Sequence, residues 1–402
     1  MKEESKLGKL DNQRFQTRPM HMIRTLVAFF GALLMLLPAH AIDFVPAPPV
    51  LSAKAYLLMD YDSGQILAAQ NEDVRYPPAS LTKMMTAYIV EAELAAGNLK
   101  LDDPVTVSTN AWAKNFPGSS VMFIEPGKPV TVEQLLRGII IQSGNDASVA
   151  IAEHIAGSED AFAQLMNAHA KRLGLTNTHF VNATGLPDDN HYSSARDLAI
   201  LARAIIHDYP ERYSLYKEKA FTYNGIRQLN RNALLWDKSL NVDGLKTGHT
   251  EKAGYCLVAS AVKNNMRLIS VVLGAPSENA RKYDSKKLLN WGFRFYRTVH
   301  PVKANSPLHQ VRVWYGNQAH VPAGVAEPVA VTLPRRSIKD LKAEYEVSTE
   351  LEAPIRRGAV IGTLYFKLNG KTIKQVPLVA LQDIEKGGVF SRLGDWFARK
   401  WK

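Results

Sequence analysis

The sequence predicts an α+β protein in which helices pack on one antiparallel sheet, followed by a small all-β domain and a C-terminal amphipathic helix. Three observations support this fold class. Strand-like segments lie near residue 55 and again between residues 246 and 273, and helical periodicity dominates between them. Residues 299–384 alternate apolar and charged side chains without a helix-length period. The final segment, residues 385–402, places its aromatic side chains on one face of a helix.

The first 41 residues have the features of a secretory signal peptide. Basic residues precede an apolar run from Thr25 to Leu37, and an Ala-x-Ala cleavage pattern ends at Ala41. A retained membrane helix would need about 20 apolar residues, so we expect residues 1–41 to be removed. The sequence therefore predicts an exported protein.

Composition and charge exclude several classes of protein. The chain of 402 residues is 46% hydrophobic and carries a formal net charge of +11, which becomes +8 without residues 1–41. A basic exported protein suits anionic cell-surface polymers or lipid headgroups, and export argues against nucleic acid as the partner. The single cysteine, Cys256, excludes an intramolecular disulfide. No His-Glu-x-x-His pattern or other ligand spacing predicts a metal site, and we expect no cofactor.

The first domain, predicted over residues 42–298, begins with a β-hairpin and a helix. Two apolar runs, Ala55 to Met59 and Gln65 to Ala69, are joined by the turn-forming sequence Asp-Tyr-Asp-Ser-Gly. Ser80 follows two prolines, and apolar residues recur after it at helical spacing, so we expect Ser80 to open a helix. Lys83 would share its face, because residues i and i+3 are neighbours on a helix.

Ser80 and Lys83 together have the chemistry of an activated nucleophile. A serine hydroxyl is a weak nucleophile until a base takes its proton. A lysine can be that base when burial or a neighbouring cation keeps it neutral, because both disfavour the charged amine. A lone Ser-x-x-Lys is more often a helix cap followed by a solvated lysine, so the pair is informative only in combination with other motifs.

A second motif, Ser143-Gly144-Asn145, lies between two predicted helices. A capping box at Thr131 opens the first of these helices, and Asp146 is expected to cap the second. Both polar side chains of the motif would then point into a cleft, although helix capping alone could also explain them.

A third motif, Lys246-Thr247-Gly248, introduces a strand that is followed by a hairpin around Lys263-Asn264-Asn265 and a long helix. One sheet built from both ends of the domain can bring residues 80, 143 and 246 together, although they are far apart in sequence. Residues 100–130 are predicted to be an irregular cover over the site, and residues 174–193 a loop.

With these three motifs in order, the chain resembles the low-molecular-mass penicillin-binding proteins, specifically the serine-type D-alanyl-D-alanine carboxypeptidases. The likeness runs from about Ser52 to the C-terminus, and Gly144 is the usual residue of this subgroup. The resemblance implies a β-lactamase/transpeptidase-like first domain. It also implies an enzyme that removes the terminal D-alanine from peptidoglycan stem pentapeptides through an acyl-enzyme on Ser80, and that penicillins acylate.

The resemblance also implies the roles of individual residues. Lys83 would take the proton of Ser80, Ser143 would relay it to the leaving amine, and Asn145 would hold the substrate amide. Lys246 would keep the local field positive, and the backbone N–H groups of Ser80 and His249 would form the oxyanion hole. The remaining substrate-binding residues would be Thr247 and Gly248 together with two arginines, Arg231 and Arg281, between which the sequence does not choose as the carboxylate ligand.

Three alternative functions remain open on sequence alone. A DD-endopeptidase that cuts peptide cross-links would use the same chemistry, although the C-terminal β domain favours a carboxypeptidase. A class A β-lactamase needs a deacylating glutamate, and no Glu-x-x-Leu-Asn lies between Asn145 and Lys246. A non-enzymatic wall-binding or antibiotic-sensing protein would not need all three motifs intact.

The last two segments are predicted to be a spacer and an anchor. In the all-β domain, residues 299–384, Asn369-Gly370 predicts a hairpin turn. In the tail, aromatic and basic residues of 389–402 occupy different faces of a helix, which is typical of a helix lying in a membrane interface. Packing of this helix on the β domain is the alternative, because bulky aromatics are also good core material. We expect the protein on the periplasmic face of the bacterial inner membrane, peripheral through this helix.

Overall fold

The computed structural model describes residues 45–401, so the predicted signal peptide lies outside the described residues. Within them the α-helices are α1 (Lys83–Ala96), α2 (Val132–Arg137), α3 (Asn145–Ala156), α4 (Glu159–Arg172), α5 (Ala195–Asp208), α6 (Glu278–Phe295) and α7 (Val389–Lys400). The strands before α6 are β1 (Ala55–Asp60), β2 (Ile66–Gln70), β3 (Pro104–Thr106), β4 (Pro129–Thr131), β5 (Ala220–Tyr223), β6 (Ile226–Leu229), β7 (Val242–Thr250), β8 (Gly254–Lys263) and β9 (Met266–Ala275). The strands after α6 are β10 (Tyr296–Val302), β11 (His309–Arg312), β12 (His320–Gly324), β13 (Val329–Pro334), β14 (Leu341–Val347), β15 (Val360–Leu368) and β16 (Lys371–Ala380).

The central sheet joins the two ends of the first domain, as the sequence predicts. Its strand order is β2-β1-β9-β8-β7, and each neighbouring pair is antiparallel. The β8–β9 hairpin turns through Asn264 and Asn265, which both have positive φ; asparagine tolerates this conformation better than most residues. This strand order places β7, with the third motif, at one edge of the sheet.

Helices cover both faces of the central sheet. Alternate side chains of a strand point to opposite faces. Leu57 of β1 accordingly packs in a core with Met84 and Met85 of α1, and Leu58 packs on the other face with Leu288 of α6. All six residues of β1 are buried, which explains why this strand is a continuous apolar run rather than an alternating one.

The local predictions near the motifs are confirmed in part. Thr131 forms the predicted capping box with Gln134 at the start of α2. Ser80 does not open an α-helix, because it lies in a 3₁₀ turn over Ala79–Thr82 and α1 begins at Lys83. The prediction that Asp146 caps the following helix is wrong, since Gly144 is the N-cap of α3. The Asp146 carboxylate instead accepts backbone N–H bonds of 2.7 to 3.1 Å from residues 122–124.

The β domain, which we define as residues 296–386, has its own hydrophobic core. Its larger sheet has the order β11-β12-β16-β15-β14, and β10 pairs with β13. Asn369 and Gly370 form the predicted turn between β15 and β16, with φ of 49° and 80°. Strand β14 alternates in sequence like a half-buried strand, but it is an edge strand and most of its side chains are exposed.

The C-terminal helix α7 contacts the β domain through its polar face. Asp395 forms an ion pair with Arg312 and accepts a 2.6 Å bond from the backbone N–H of Tyr315. Arg399 forms ion pairs with Glu350 and Glu352. The aromatic side chains are exposed, Phe390 to 92% and Trp401 to 84%. The helix therefore lies on the β domain without using its aromatics as core. Over residues 45–401, no helix combines the length and the apolar character needed to cross a bilayer.

Candidate active site

The turn that carries Ser80 lies against two close backbone neighbours. A Cβ atom on Gly248 of β7 would lie 2.9 Å from the carbonyl oxygen of Pro78. A Cβ atom on Gly185, whose φ is +81°, would lie 1.8 Å from the carbonyl oxygen of Ala79. Only glycine permits these approaches. The edge strand and the loop around residue 185 thus both pack against the turn, and Ser80 lies between them.

Lys83 is buried and its amine makes three contacts. Its Nζ lies 3.2 Å from Ser80 Oγ, 2.7 Å from Asn145 Oδ1 and 2.6 Å from the carbonyl oxygen of Thr184. Burial lowers the pKa of Lys83 to about 7, and Arg231 lowers it further, whereas Asp146 and Glu159 oppose the shift. A substantial fraction of this amine is therefore neutral near pH 7.

The three contacts match the hydrogen-bonding capacity of a neutral amine. Such an amine has two N–H groups and one lone pair. The two carbonyl oxygens, of Asn145 and Thr184, can accept only N–H bonds. A charged Lys83 donates to Ser80 Oγ, whereas a neutral Lys83 has its lone pair left for the Ser80 hydroxyl, at a distance suited to a general base.

The second motif contributes one unpaired hydroxyl and one fixed amide. Ser143 has a φ of +69°, and within the described residues its buried Oγ has no hydrogen-bond partner. Asn145 is held on both sides, because its Nδ2 donates to Ser119 Oγ at 2.9 Å and its backbone N–H to the carbonyl of Ser120 at 2.8 Å. The hydroxyl of Ser143 thus has unused hydrogen-bonding capacity at the edge of the site, whereas the position of Asn145 is set by the protein.

Lys246 of β7 adds a second buried amine. Its Nζ donates to the carbonyl oxygen of Thr247 at 3.2 Å. Burial lowers its pKa well below the usual value, and Lys83, Arg231 and Arg281 lower it further. Two amines and two guanidinium groups thus lie close together, and positive charge on any of them favours a bound anion and disfavours protonation of its neighbours.

One cavity of about 460 Å³ collects most of the predicted site residues. Those that line it are Ser80, Ser143, Asn145, Arg231, Thr247, Gly248, His249 and Arg281. The two lysines, Lys83 and Lys246, are 1% and 3% exposed and are not part of this lining. The structure thus brings all ten residues into one site, with the amines beneath the cavity wall.

The two candidate carboxylate ligands differ in their partners. Arg281 Nη2 donates to Glu278 Oε1 at 2.8 Å, and Nη1 to the carbonyl of Gly248 at 3.4 Å. Arg231 forms no ion pair within the described part of the chain. Burial lowers the pKa of both guanidinium groups. Both remain charged at neutral pH, because a guanidinium group stays protonated in proteins even when burial lowers its pKa.

Sequence reasoning missed several residues that line or support the cavity. The predicted loops supply Ser119, Ser120, Thr184 and Leu186, and the start of α6 supplies Glu278. Thr184 contacts Lys83 through its backbone carbonyl, which every residue type has, so no sequence signal could identify it. Over residues 45–401, no group of three or more potential ligands is placed to hold a metal ion.

Two protein families match the chain, one in its first domain and one in the β domain. Residues 43–277 match the D-alanyl-D-alanine carboxypeptidase family of peptidases, peptidase S11. Residues 296–386 match the C-terminal domain of penicillin-binding protein 5.

Individual relatives match between 61% and 89% of the chain. D-alanyl-D-alanine carboxypeptidase DacA of Escherichia coli strain K12 is 53% identical over 367 residues, covering 89% of this chain and 91% of the relative. The crystal structure of penicillin binding protein 5 from Haemophilus influenzae superposes with a TM-score of 0.82 at 48% identity, covering 85% of this chain and 100% of that one. The ampicillin-bound penicillin-binding protein D2 of Listeria monocytogenes has a TM-score of 0.55 at 30% identity, covering 61% of this chain and 100% of that one.

The fold and the site define a serine-type hydrolase with a transpeptidase-like domain and a C-terminal all-β domain. Within that class, the chain belongs to the D-alanyl-D-alanine carboxypeptidase family. The family predicted from the three motifs is confirmed.

Proposed function

We propose that the protein removes the terminal D-alanine from peptidoglycan stem pentapeptides, with Ser80 as nucleophile and Lys83 as its base. The observation that carries this proposal is the set of contacts of the Lys83 amine, in which two carbonyl oxygens accept its N–H groups and Ser80 Oγ lies 3.2 Å away. The lowered pKa of Lys83, about 7, supplies the neutral amine that this role needs.

Acylation then proceeds in two stages, formation and collapse of a tetrahedral intermediate. Ser80 Oγ attacks the carbonyl carbon between the two D-alanines as Lys83 takes the hydroxyl proton, and the carbonyl oxygen becomes an oxyanion facing backbone N–H groups of Ser80 and His249. The C–N bond breaks when Ser143 donates its proton to the leaving amine and is reprotonated from Lys83. D-alanine leaves, and the acyl group remains on Ser80.

Deacylation uses the same base on a water molecule. Lys83, neutral again, takes a proton from water as its oxygen attacks the ester carbonyl, and the Ser80–acyl bond breaks with the proton returned to Ser80 Oγ. Asn145 orients the substrate amide during both steps, because its position is fixed by Ser119 and Lys83. Thr247, Gly248 and the arginines lie where they can hold the terminal carboxylate.

The same site explains acylation by β-lactams. The strained amide of a penicillin presents the carbonyl to Ser80 in place of the D-Ala-D-Ala bond, and the ester that forms turns over slowly without a deacylating glutamate. The ampicillin-bound relative from Listeria monocytogenes supports this part of the proposal.

We expect the purified protein to release D-alanine from a pentapeptide over many turnovers, while a penicillin forms a long-lived adduct at one equivalent. Measuring free D-alanine and mapping a labelled penicillin by mass would check both. Rapid multiple-turnover hydrolysis of penicillin without D-alanine release would instead identify a β-lactamase. Faster cleavage of a cross-linked peptide dimer than of the pentapeptide would identify an endopeptidase.

We further propose that the protein acts at the periplasmic face of the inner membrane, after removal of residues 1–41. In this arrangement residues 42–298 form the catalytic domain, 299–384 a spacer, and 385–402 the anchor. The exposed aromatics of α7 can enter the headgroup region. The tail also carries a net charge of +3 over residues 385–402, and basic residues near an anionic surface gain about 1 kcal/mol each.

The contacts of α7 with the β domain support this orientation. Asp395, the acidic residue of the helix, is neutralised by Arg312 on the protein side. The helix therefore does not present a carboxylate to an anionic surface. Its ion pairs with the β domain leave the aromatic face outward, as an anchor requires.

A chain that ends at Glu385 is expected to keep its peptidase activity and to lose binding to anionic lipid vesicles. Co-sedimentation with vesicles, at low and high salt, would measure the loss. The double variant Phe390→Ser and Phe397→Ser serves as a second test, because both side chains are exposed and the ion pairs of α7 stay intact. Unchanged vesicle binding by either variant, or unfolding of the truncated chain, would show that α7 is a structural helix.

A further inference from the structure

Glu278 is a carboxylate inside a site built to bind carboxylates. It is the first residue of α6 and lines the active-site cavity beside Arg281 and Arg231. Its Oε1 accepts the 2.8 Å hydrogen bond from Arg281 Nη2, and no other described residue forms an ion pair with Arg281. No step of the reaction described above uses Glu278.

The two partners of this ion pair differ in mobility. The Arg281 side chain is only 7% exposed; its Nη1 donates to the carbonyl of Gly248 at 3.4 Å, and its guanidinium lies 5.5 Å from the centre of the Tyr255 ring. The Glu278 side chain is 72% exposed. Glu278 can therefore turn into solvent at little cost, whereas Arg281 cannot follow it.

The negative charge of Glu278 acts on both arginines. Burial lowers the pKa of Arg281 and of Arg231, and the Glu278 carboxylate raises both pKa values in part. Any anion bound between the arginines is consequently repelled by Glu278. Such an anion also competes with Glu278 for the Nη2 group of Arg281, to which Glu278 is hydrogen-bonded in the free enzyme.

We propose that Glu278 is a specificity-determining residue that acts as an internal competitor for the substrate carboxylate. This inference rests on the proposed function, because it takes the carboxylate of the terminal D-alanine as the group bound beside Arg281. In the free enzyme Glu278 accepts a hydrogen bond from Arg281 Nη2, and the substrate carboxylate displaces Glu278 from this group. After the C–N bond breaks, that carboxylate belongs to free D-alanine, and return of Glu278 to Arg281 expels it.

This competition favours hydrolysis of the Ser80 ester over the reverse reaction with D-alanine. As long as D-alanine stays bound, its amine can attack the Ser80 ester and re-form the substrate. Its departure leaves the ester carbonyl to water. Glu278 thereby weakens substrate binding moderately and favours release of the first product.

The variant Glu278→Gln tests the inference, because the glutamine keeps a carbonyl oxygen for Arg281 and loses the charge. We expect the KM for a D-Ala-D-Ala peptide to fall about two- to fivefold, the range for a partly exposed ion pair. Inhibition by added D-alanine should strengthen by a similar factor. The ratio of acylation rates for a penicillin and for its methyl ester should rise, because only the penicillin carries the competing carboxylate.

These measurements separate competition from a positioning role. If Glu278 only positions Arg281, the variant should raise the KM or leave it unchanged, and D-alanine inhibition should not strengthen. Either result would overturn the inference. The matched control is Glu385→Gln, which removes the exposed carboxylate of an ion pair with Arg356 in the β domain and should change none of these quantities. Failure of the proposed function would appear separately, as absence of D-alanine release by the unsubstituted protein.

Discussion

Replacing Lys83 with alanine is expected to lower the acylation of Ser80 by about 10²–10⁴-fold, the usual cost of removing a general base. The Lys83 amine lies 3.2 Å from Ser80 Oγ, and its other two contacts are carbonyl oxygens that accept its N–H groups, so the neutral amine has its lone pair free for the Ser80 proton. Without it, the hydroxyl proton has to pass to water or to Ser143. The loss should affect penicillin acylation and D-alanine release together, because both begin with the same attack.

The measurement is the rate of labelled-penicillin attachment, followed by mass mapping of the adduct. Ser80→Ala gives the background signal of this assay, since it lacks the nucleophile. Lys171→Ala is the matched control, because Lys171 is an exposed lysine of α4. If Lys83→Ala acylates at close to the unsubstituted rate, the proton leaves by another route and the assignment of the base is wrong. Thermal unfolding of the variant should accompany the assay, because removal of a buried side chain also leaves a cavity.

The sequence predicts the parts of the site that depend on side-chain type. Each motif carries residues chosen for their chemistry, and their order along the chain identifies the family. The joining of both chain ends in one sheet also follows from the sequence, because an early hairpin and late strands can pair only if the two ends of the domain meet. Ser80, Asn145 and Lys246 are therefore found together as predicted.

The parts that the sequence does not reveal depend on backbone geometry and on distant loops. The carbonyl of Thr184 accepts an N–H bond from Lys83 across 101 residues, and nothing in its residue type marks it. Asp146 stands where an ordinary helix cap would be expected, yet its carboxylate binds three N–H groups of a loop more than 20 residues away. In the tail, helical periodicity predicts the exposed aromatic face. It gives no sign that Asp395 and Arg399 contact the β domain.

Replacing Lys246 with alanine is expected to shift the pH dependence of acylation to higher pH. In the unsubstituted protein the rate should rise with pH through about 7, as Lys83 loses its proton. Lys83 lowers the pKa of Lys246, and because the interaction between two titrating groups is mutual, we expect a protonated Lys246 to disfavour the charged form of Lys83. Removing Lys246 therefore raises the pKa of Lys83. Each unit of that rise leaves about tenfold less neutral amine at pH values below it.

The pH profile distinguishes this effect from a loss of substrate contacts. The rate of Lys246→Ala at pH 7 should fall about tenfold for each unit by which the pKa of Lys83 rises. It should recover in part at alkaline pH, whereas Lys83→Ala should not recover. Lys246→Arg keeps the positive charge and should keep the midpoint near pH 7. If Lys246→Ala lowers the rate by the same factor at every pH, then Lys246 acts on the bound substrate alone. Its positive field would then have no part in keeping Lys83 neutral.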